Sequence, residues 1–263
     1  MLKHCILSVD YSDEWDKIHD HLPPLMRLLD VQRLTLVYAI EPQNRRRLED
    51  DDVAIASHLR RVADELSSRL GVSVGRDVRH GFPASELAAA ARTHEADAII
   101  ALNRNHSAGR AALFGNTVMN LVRVARVPVL VIPYDAKPTA QNAPIMLATD
   151  GSDASRNAQR RFEQLADSAA RSKVVWVKDD DAGEAEDQRM QPLLDDLQGR
   201  FSNIESKRII GDPAQKLSAY ADQEGVALLI IGKRGNTPIA ELLVGSTAEA
   251  VARSSHRPVL LVP

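Results

Sequence analysis

Short apolar runs alternate along this chain with stretches whose apolar residues recur every three or four positions. Residues 144–149 form one such run, and Ala154, Ala158, Phe162, Leu165 and Ala169 then step along one face, which predicts a strand followed by a helix. Ser152 or Asp153 is placed to cap that helix. Val174, Val175 and Val177 predict a second strand, Met190, Leu194, Leu197 and Phe201 a second helix, and residues 203–210 a third strand. Asp212 then stands at an N-cap, Pro213 at the first helical position and Gly225 at the C-terminal stop. Val226 to Ile231 and Val259 to Val262 are continuous apolar runs, the pattern of strands buried on both faces. The order β-α-β-α-β-α-β-α-β predicts an α/β fold: a mainly parallel sheet, helices on both faces, and a ligand crevice at the carboxyl ends of the strands.

The chain carries this unit twice. Gly81-Phe82-Pro83-Ala84 matches Gly211-Asp212-Pro213-Ala214, and Pro128 matches Pro258, both at an offset of 130. Ile6-Leu7-Ser8-Val9-Asp10 matches Met146-Leu147-Ala148-Thr149-Asp150 at an offset of 140, so the first copy holds ten additional residues, expected around Arg45 to Asp52. Its helix stripe is Ile55, Leu59, Val62, Leu66 and Leu70. The polar, Pro-containing segment 134–143 has neither period and reads as a linker. Two tandem domains follow, 1–134 and 144–263.

Composition narrows the function. Of 263 residues, 44% are hydrophobic and 26% charged, which excludes a wholly disordered chain. Aromatics at 4% imply aliphatic cores and no aromatic wall for stacking single-stranded nucleic acid. A net charge of −3 gives no global attraction to nucleic acid or anionic membrane, so neither is an expected partner and any anion site is local. The single cysteine, Cys5, excludes intramolecular disulfides and reads as core. With no signal-like start and no apolar stretch near the roughly 20 residues a bilayer needs, the expected location is the cytoplasm.

The chemistry-bearing motif follows the fourth strand of the second copy: Gly232-Lys233-Arg234-Gly235, then nine intervening residues, then Gly245-Ser246-Thr247 at a helix start. Glycine lets the backbone approach a ligand closely, and a helix N-terminus offers unpaired N–H groups and a positive dipole end to a phosphate. The hydroxyls of Ser246 and Thr247 add donors. Asp150, ending the first strand, shares that rim and could accept from a base or ribose, while backbone near Val177 could meet a purine edge.

A strand ending in Asp-Gly-Ser, a Gly-Asp-Pro-Ala helix start, Gly-x2-Gly-x9-Gly-Ser and a closing Pro-Val-Leu-Leu-Val strand together resemble the universal stress protein family, over almost the whole chain as two tandem domains. The resemblance implies five-stranded Rossmann-like domains that often bind ATP and dimerise through the last strand. It implies phosphate and ribose contacts at Gly232, Gly235, Gly245, Ser246 and Thr247, and adenine contacts at Asp150 and Val177. Pairing of 128–133 with 258–263 would join the domains as an intramolecular pseudo-dimer, with homodimerisation of the whole chain a further option.

The first copy departs from the pattern. Leu102 stands where the second has Gly232 and Asn105 where it has Gly235, while Gly115-Asn116-Thr117 matches Gly245-Ser246-Thr247. Asn tolerates positive φ, but Leu102 brings bulk to the surface a phosphate must approach, so this copy is expected to bind ATP weakly or not at all. Arg104, His106 and Arg110 read as a solvated loop before an anion site.

Other constellations read as ordinary structure. His19-Asp20-His21 puts its histidines on different helix faces with no third metal ligand, so they read as surface histidines. Asp179-Asp180-Asp181, after Lys178, could supply carboxylates to magnesium accompanying ATP, but such runs are usually exposed loop. Trp15 and Trp176 read as packing or edge residues. Gly71-Val72-Ser73-Val74-Gly75 runs from helix into strand, the reverse of a catalytic serine elbow. No Walker A and no Gly-x-Gly-x-x-Gly after a first strand occurs, which argues against a P-loop NTPase or dehydrogenase. With no nucleophile and base paired, the expectation is a nucleotide-binding regulatory protein, not an enzyme beyond slow ATP hydrolysis. The rival is an interaction module of the same fold that binds no nucleotide. Bulky residues at Gly232 and Gly235 are expected to abolish ligand stabilisation without unfolding the chain.

Overall fold

A computed structural model describes residues 2–10, 18–41, 51–103, 111–178, 185–235 and 244–263. The chain divides into two compact units, 1–130 and 131–263.

The N-terminal unit runs β1 (His4–Val9), α1 (Ile18–Leu29), β2 (Arg33–Ile40), α2 (Asp51–Leu70), β3 (Ser73–His80), α3 (Pro83–Thr93), β4 (Ala98–Asn103) and α4 (Ala111–Val124), and closes with β5 (Val129–Pro133), which runs across the division at 130. Its strand order is β3-β2-β1-β4-β5, and the β1–β2, β1–β4 and β2–β3 ladders are parallel. The C-terminal unit runs β6 (Ile145–Ala148), a 3-10 turn (Asp153–Ser155), α5 (Arg156–Ala166), β7 (Ser172–Lys178), α6 (Ala185–Arg200), β8 (Ile204–Ile210), α7 (Pro213–Gln223), β9 (Leu228–Gly232), α8 (Ser246–Ser254) and β10 (Val259–Val262). Its order, β10-β9-β6-β7-β8, is the same topology, all parallel. Two α/β units with mainly parallel sheets are what the alternation of runs and stripes predicts.

Right-handed crossovers explain the layering. The chain moves one way along the sheet through the first three strands and then reverses, so the first two helices cover one face and the last two the other. The reversal leaves a crevice between the first and fourth strands at their carboxyl ends, which in the C-terminal unit lies between β6 and β9. The apolar runs are the interior: Ile6, Leu7, Ile99 and Ile100 in one unit and Met146, Leu147, Leu229 and Ile230 in the other are fully buried. Leu59, Val62 and Leu66 of α2 are buried as the stripe predicts, with Ile55 and Leu70 half-buried at its ends.

Some local expectations differ. The helix predicted from Ala154 begins as the 3-10 turn, with Ala154 exposed, and α5 ends before Ala169; Ala158, Phe162, Leu165 and Ala166 are its buried residues. Asp212 caps α7 as predicted, accepting from Gln215 N at 2.8 Å. At the matching place in the N-terminal unit, Phe82 gives α3 no side-chain cap and is 68% exposed. The ten additional residues placed around Arg45 to Asp52 fall largely outside the described residues. Cys5 is fully buried, and burial pushes its thiol up to about 12, the behaviour of a core residue. Among the described residues no helix is long and apolar enough to cross a membrane.

Candidate functional site

At the reversal point of the C-terminal unit lies a cavity of about 410 Å³. Asp150, Val177, Gly232, Gly235, Gly245, Ser246 and Thr247, all named from sequence, line it together. Its other walls are apolar groups of Ala148, Val175, Pro213, Leu217 and Ile231, with Thr149, Ser155 and Arg234 adding polarity.

The loop after β6 is wired by its own hydroxyls. Gly151 turns at φ +69°, and its N–H donates to Thr149 Oγ1 at 3.1 Å. Ser155 Oγ donates to the Ser152 carbonyl at 2.8 Å, so its 3.0 Å contact with Thr149 Oγ1 is a bond that Thr149 donates. Ser152 does not cap the helix with its side chain: its N–H and hydroxyl both donate to Asp150 Oδ1, at 3.0 and 2.6 Å. Competition from a carboxylate two residues back turns the expected cap into an Asx-type turn that fixes Asp150.

Three glycines play three parts. A Cβ on Gly235 would lie 2.8 Å from Asp150 Oδ2, so the bare backbone at 235 is what admits the Asp150 carboxylate beside the loop. A Cβ on Gly232 would lie 2.9 Å from the Arg234 carbonyl oxygen and 3.2 Å from Ser155 Cα. Those neighbours are backbone, so glycine at 232 is demanded by the protein's own packing, and a bulky residue there strains the fold itself, contrary to the expectation that both replacements would leave it intact. Gly245 is less constrained, since a Cβ there would lie 3.5 Å from the nearest atom, Lys233 O. Its N–H donates to that same carbonyl at 2.7 Å, and its own carbonyl accepts from Glu249 N as α8 begins.

The electrostatics favour an anion at this end. The first N–H groups of α8 have no partner within the helix and stand at the positive end of its dipole. Ser246, Thr247 and exposed Arg234 lie beside them. Lys233 is buried, and desolvation, with the Arg234 charge added, pushes its pKa down to about 8. Its N–H donates to Val262 O at 2.7 Å, tying the loop to β10. The opposite end of the cavity is apolar, so the site suits a ligand with one apolar part and one anionic part.

Sequence reasoning missed Arg234, Thr149, Ser155, Pro213 and Leu217 as lining residues. Arg234 could have been found, since it sits between two motif glycines. Leu217 carries only the signal of a core helix position, and the Thr149–Ser155 bond depends on a turn that spacing does not specify.

In the N-terminal unit Leu102 is half-buried near the end of β4, and Thr117 is half-buried in α4. Arg104, Asn105, His106 and Arg110 lie outside the described residues, as do Trp15, Asp179, Asp180 and Asp181. Lys178 Nζ bonds Asp187 Oδ2 at 3.0 Å, and half-buried Trp176 donates to Asp187 Oδ1 at 3.4 Å. His21 is half-buried, not fully on the surface, and burial lowers its pKa. Ser73 opens β3 directly after the helix-ending Gly71, at φ +68°, so it stands on no strand-to-helix elbow. No group of three or more His, Cys, Asp or Glu placed to hold a metal occurs among the described residues.

The model of the universal stress protein family matches residues 1–133 and again 142–263. A universal stress protein of Mycolicibacterium smegmatis is 28% identical over 220 residues, covering 76% of this chain and 72% of that protein. One of Methanocaldococcus jannaschii is 31% identical over 74 residues, 28% of this chain and 46% of that protein, less than half its length. The fold is shared with a universal stress protein from Archaeoglobus fulgidus at a TM-score of 0.74 and 17% identity, covering 98% of this chain and 95% of that one. With the same family pattern matched in both halves, the chain belongs to the universal stress protein family.

Proposed function

We propose that the C-terminal unit binds ATP or a related adenine nucleotide and that the N-terminal unit is its structural or regulatory partner. The observation that carries this is the convergence of Gly235, Gly245, Ser246, Thr247 and Arg234 on one end of a cavity whose other end is apolar. In this reading the phosphates lie against the first turn of α8, held by its free N–H groups and the two hydroxyls. The base lies between Val177 and the first turn of α7. The volume, about 410 Å³, falls in the range of roughly 300–1,000 Å³ usual for small-molecule sites.

Asp150 orients the ribose. Its Oδ1 holds Ser152, and its Oδ2 lies on the Gly235 side of the cavity. Magnesium would accompany the phosphates as their counterion. The proposal is for binding that biases conformation or assembly, in the cytoplasm, with turnover no faster than slow hydrolysis, because phosphoryl transfer needs a positioned metal and an oriented nucleophile.

Melting the full chain with and without ATP and magnesium tests this. At 100 times the dissociation constant the ligand should add about 2.7 kcal/mol of stability. An unchanged melting profile for nucleotide-free protein contradicts the reading and favours the interaction module.

A further inference from the structure

Two helices of the C-terminal unit start at the cavity and finish at the segment that joins the two copies. Pro213 and Leu217, in the first two turns of α7, wall the cavity, and Asp222 lies in its last turn. Ser246 and Thr247 open α8 at the cradle, and the chain leaving α8 passes through Ser255, His256 and Arg257. At about 1.5 Å per residue, these helices place the two ends of the unit roughly 13–16 Å apart.

At the far end, the joining segment is fastened. Asp222 Oδ2 takes Lys137 Nζ at 2.5 Å, and its Oδ1 takes Arg257 Nε at 3.0 Å. Arg257, only 6% exposed, also donates through Nη1 to the Pro138 carbonyl at 3.3 Å. His256 Nδ1 bonds Asp135 Oδ2 at 2.8 Å, and its carbonyl accepts from Lys137 N at 3.2 Å. Burial raises the Asp222 pKa, but the bonds from Lys137 and Arg257 outweigh it and hold the carboxyl below its usual range. In the N-terminal copy Arg92 stands at the position of Asp222, Arg126 at that of His256 and Val127 at that of Arg257.

We propose that segment 135–138 is a strap whose fastening by Asp222, His256 and Arg257 is coupled through α7 and α8 to occupancy of the cavity, so that a bound nucleotide tightens the strap. The inference rests on the nucleotide reading above. A ligand shifts such an equilibrium only by its preference for one state. Here that preference has a physical source, because the helix turns that form the cavity walls are the starts of the helices whose ends hold the strap. Coupling is reciprocal, so loosening the strap weakens binding by the same factor.

The test is amide exchange in residues 135–143 of the full chain, with ATP affinity measured by calorimetry on the same samples. Wild-type exchange should slow about fivefold on saturation with ATP, the low end of typical coupling. Asp222→Asn should speed exchange about tenfold without ligand, since it weakens two charge-assisted bonds. Lys137→Met, at an exposed side chain, should speed it less and keeps the test sound if the first variant folds poorly. Both variants should bind ATP more weakly. Calorimetric binding with unchanged strap exchange overturns the coupling alone, as does a strap equally protected in both variants. Absence of any binding heat in wild type overturns the nucleotide reading and the coupling with it.

Discussion

The two units share a strand order and differ where their loops meet the crevice. Fully buried Leu7, Ile99 and Ile100 of one correspond to Leu147, Leu229 and Ile230 of the other, so the apolar runs that build the sheet are kept. What changes lies at the strand ends: Gly232 against Leu102, Gly235 against Asn105, the capping Asp212 against uncapped Phe82, and the Arg257–Asp222 pair against Val127 and Arg92. Burial tolerates drift only within apolar size classes, whereas surface turns are free to change. The N-terminal unit thus has the framework of its twin with different fittings.

The largest expected effect breaks the shared framework. Phe162, fully buried, stands where Leu22, also fully buried, stands in the first copy. Phe162→Ala should cost about 3–5 kcal/mol, and Leu22→Ala about 2–5 kcal/mol. Calorimetric scans of the two variants should move different parts of the unfolding profile, each assigned by exchange in its own unit; a single shared shift would contradict independent units.

Next comes the strand end. Gly232→Leu drives a side chain onto backbone at Arg234 and Ser155 and should cost about 1–3 kcal/mol in urea unfolding, with or without ligand. Leu102→Ala at the matching place, half-buried in the native protein, should cost less.

Acid should affect the N-terminal unit through His4, which has no histidine counterpart in the second copy. Its ring is 6% exposed, with Arg33 Nη2 donating to Nδ1 at 2.9 Å and Nε2 therefore donating to Thr35 Oγ1 at 2.9 Å. Burial, then the Arg33 charge, lowers its pKa from 6.5. The unfolded chain takes up this proton first, so the stabilisation is complete above pH 6.5 and falls away as the pH drops through 6.5 toward the folded value. The slope is at most about 1.4 kcal/mol per pH unit for one proton. Urea unfolding from pH 7.5 to 5 should show it, and His4→Gln should flatten it; equal slopes in the two proteins would assign the acid loss to other groups.

The smallest effect sharpens the comparison at one cap. Asp212→Ala removes the bond to Gln215 N and should cost about 1 kcal/mol, while Phe82→Asp, at extended φ −73° and ψ 126°, should add up to about 1 kcal/mol to the other unit. Thermal scans of the two variants should move in opposite directions, and a loss of stability in the Phe82 variant would assign its exposed ring a packing role.

The fold was legible because a parallel sheet buried on both faces needs unbroken apolar runs, and Val226 to Ile231 is one. The cradle was legible because glycines and hydroxyls at a helix start are needed for close backbone approach. Gly232 was legible as a glycine position but not in its full cause, since besides the Arg234 carbonyl two residues on, the atoms it faces come from Ala154 and Ser155, far along the chain. The Ser152 cap was misread because Asp150 captures both of its donors. Arg257 and Asp222 look like surface charges in sequence, and only the fold brings them 3.0 Å apart.

The central claim, a nucleotide held in one unit by a bare main-chain loop, is tested most directly by calorimetric titration of ATP with magnesium into nucleotide-free wild type and Gly235→Leu. Leucine at 235 drives its Cβ against Asp150 Oδ2, and under the proposed reading its side chain takes the space of the phosphates. One ATP per wild-type chain and none in the variant, with the variant's urea midpoint within the range of other surface changes, is the predicted result. Two ATP per chain, or undiminished binding by Gly235→Leu, would contradict it.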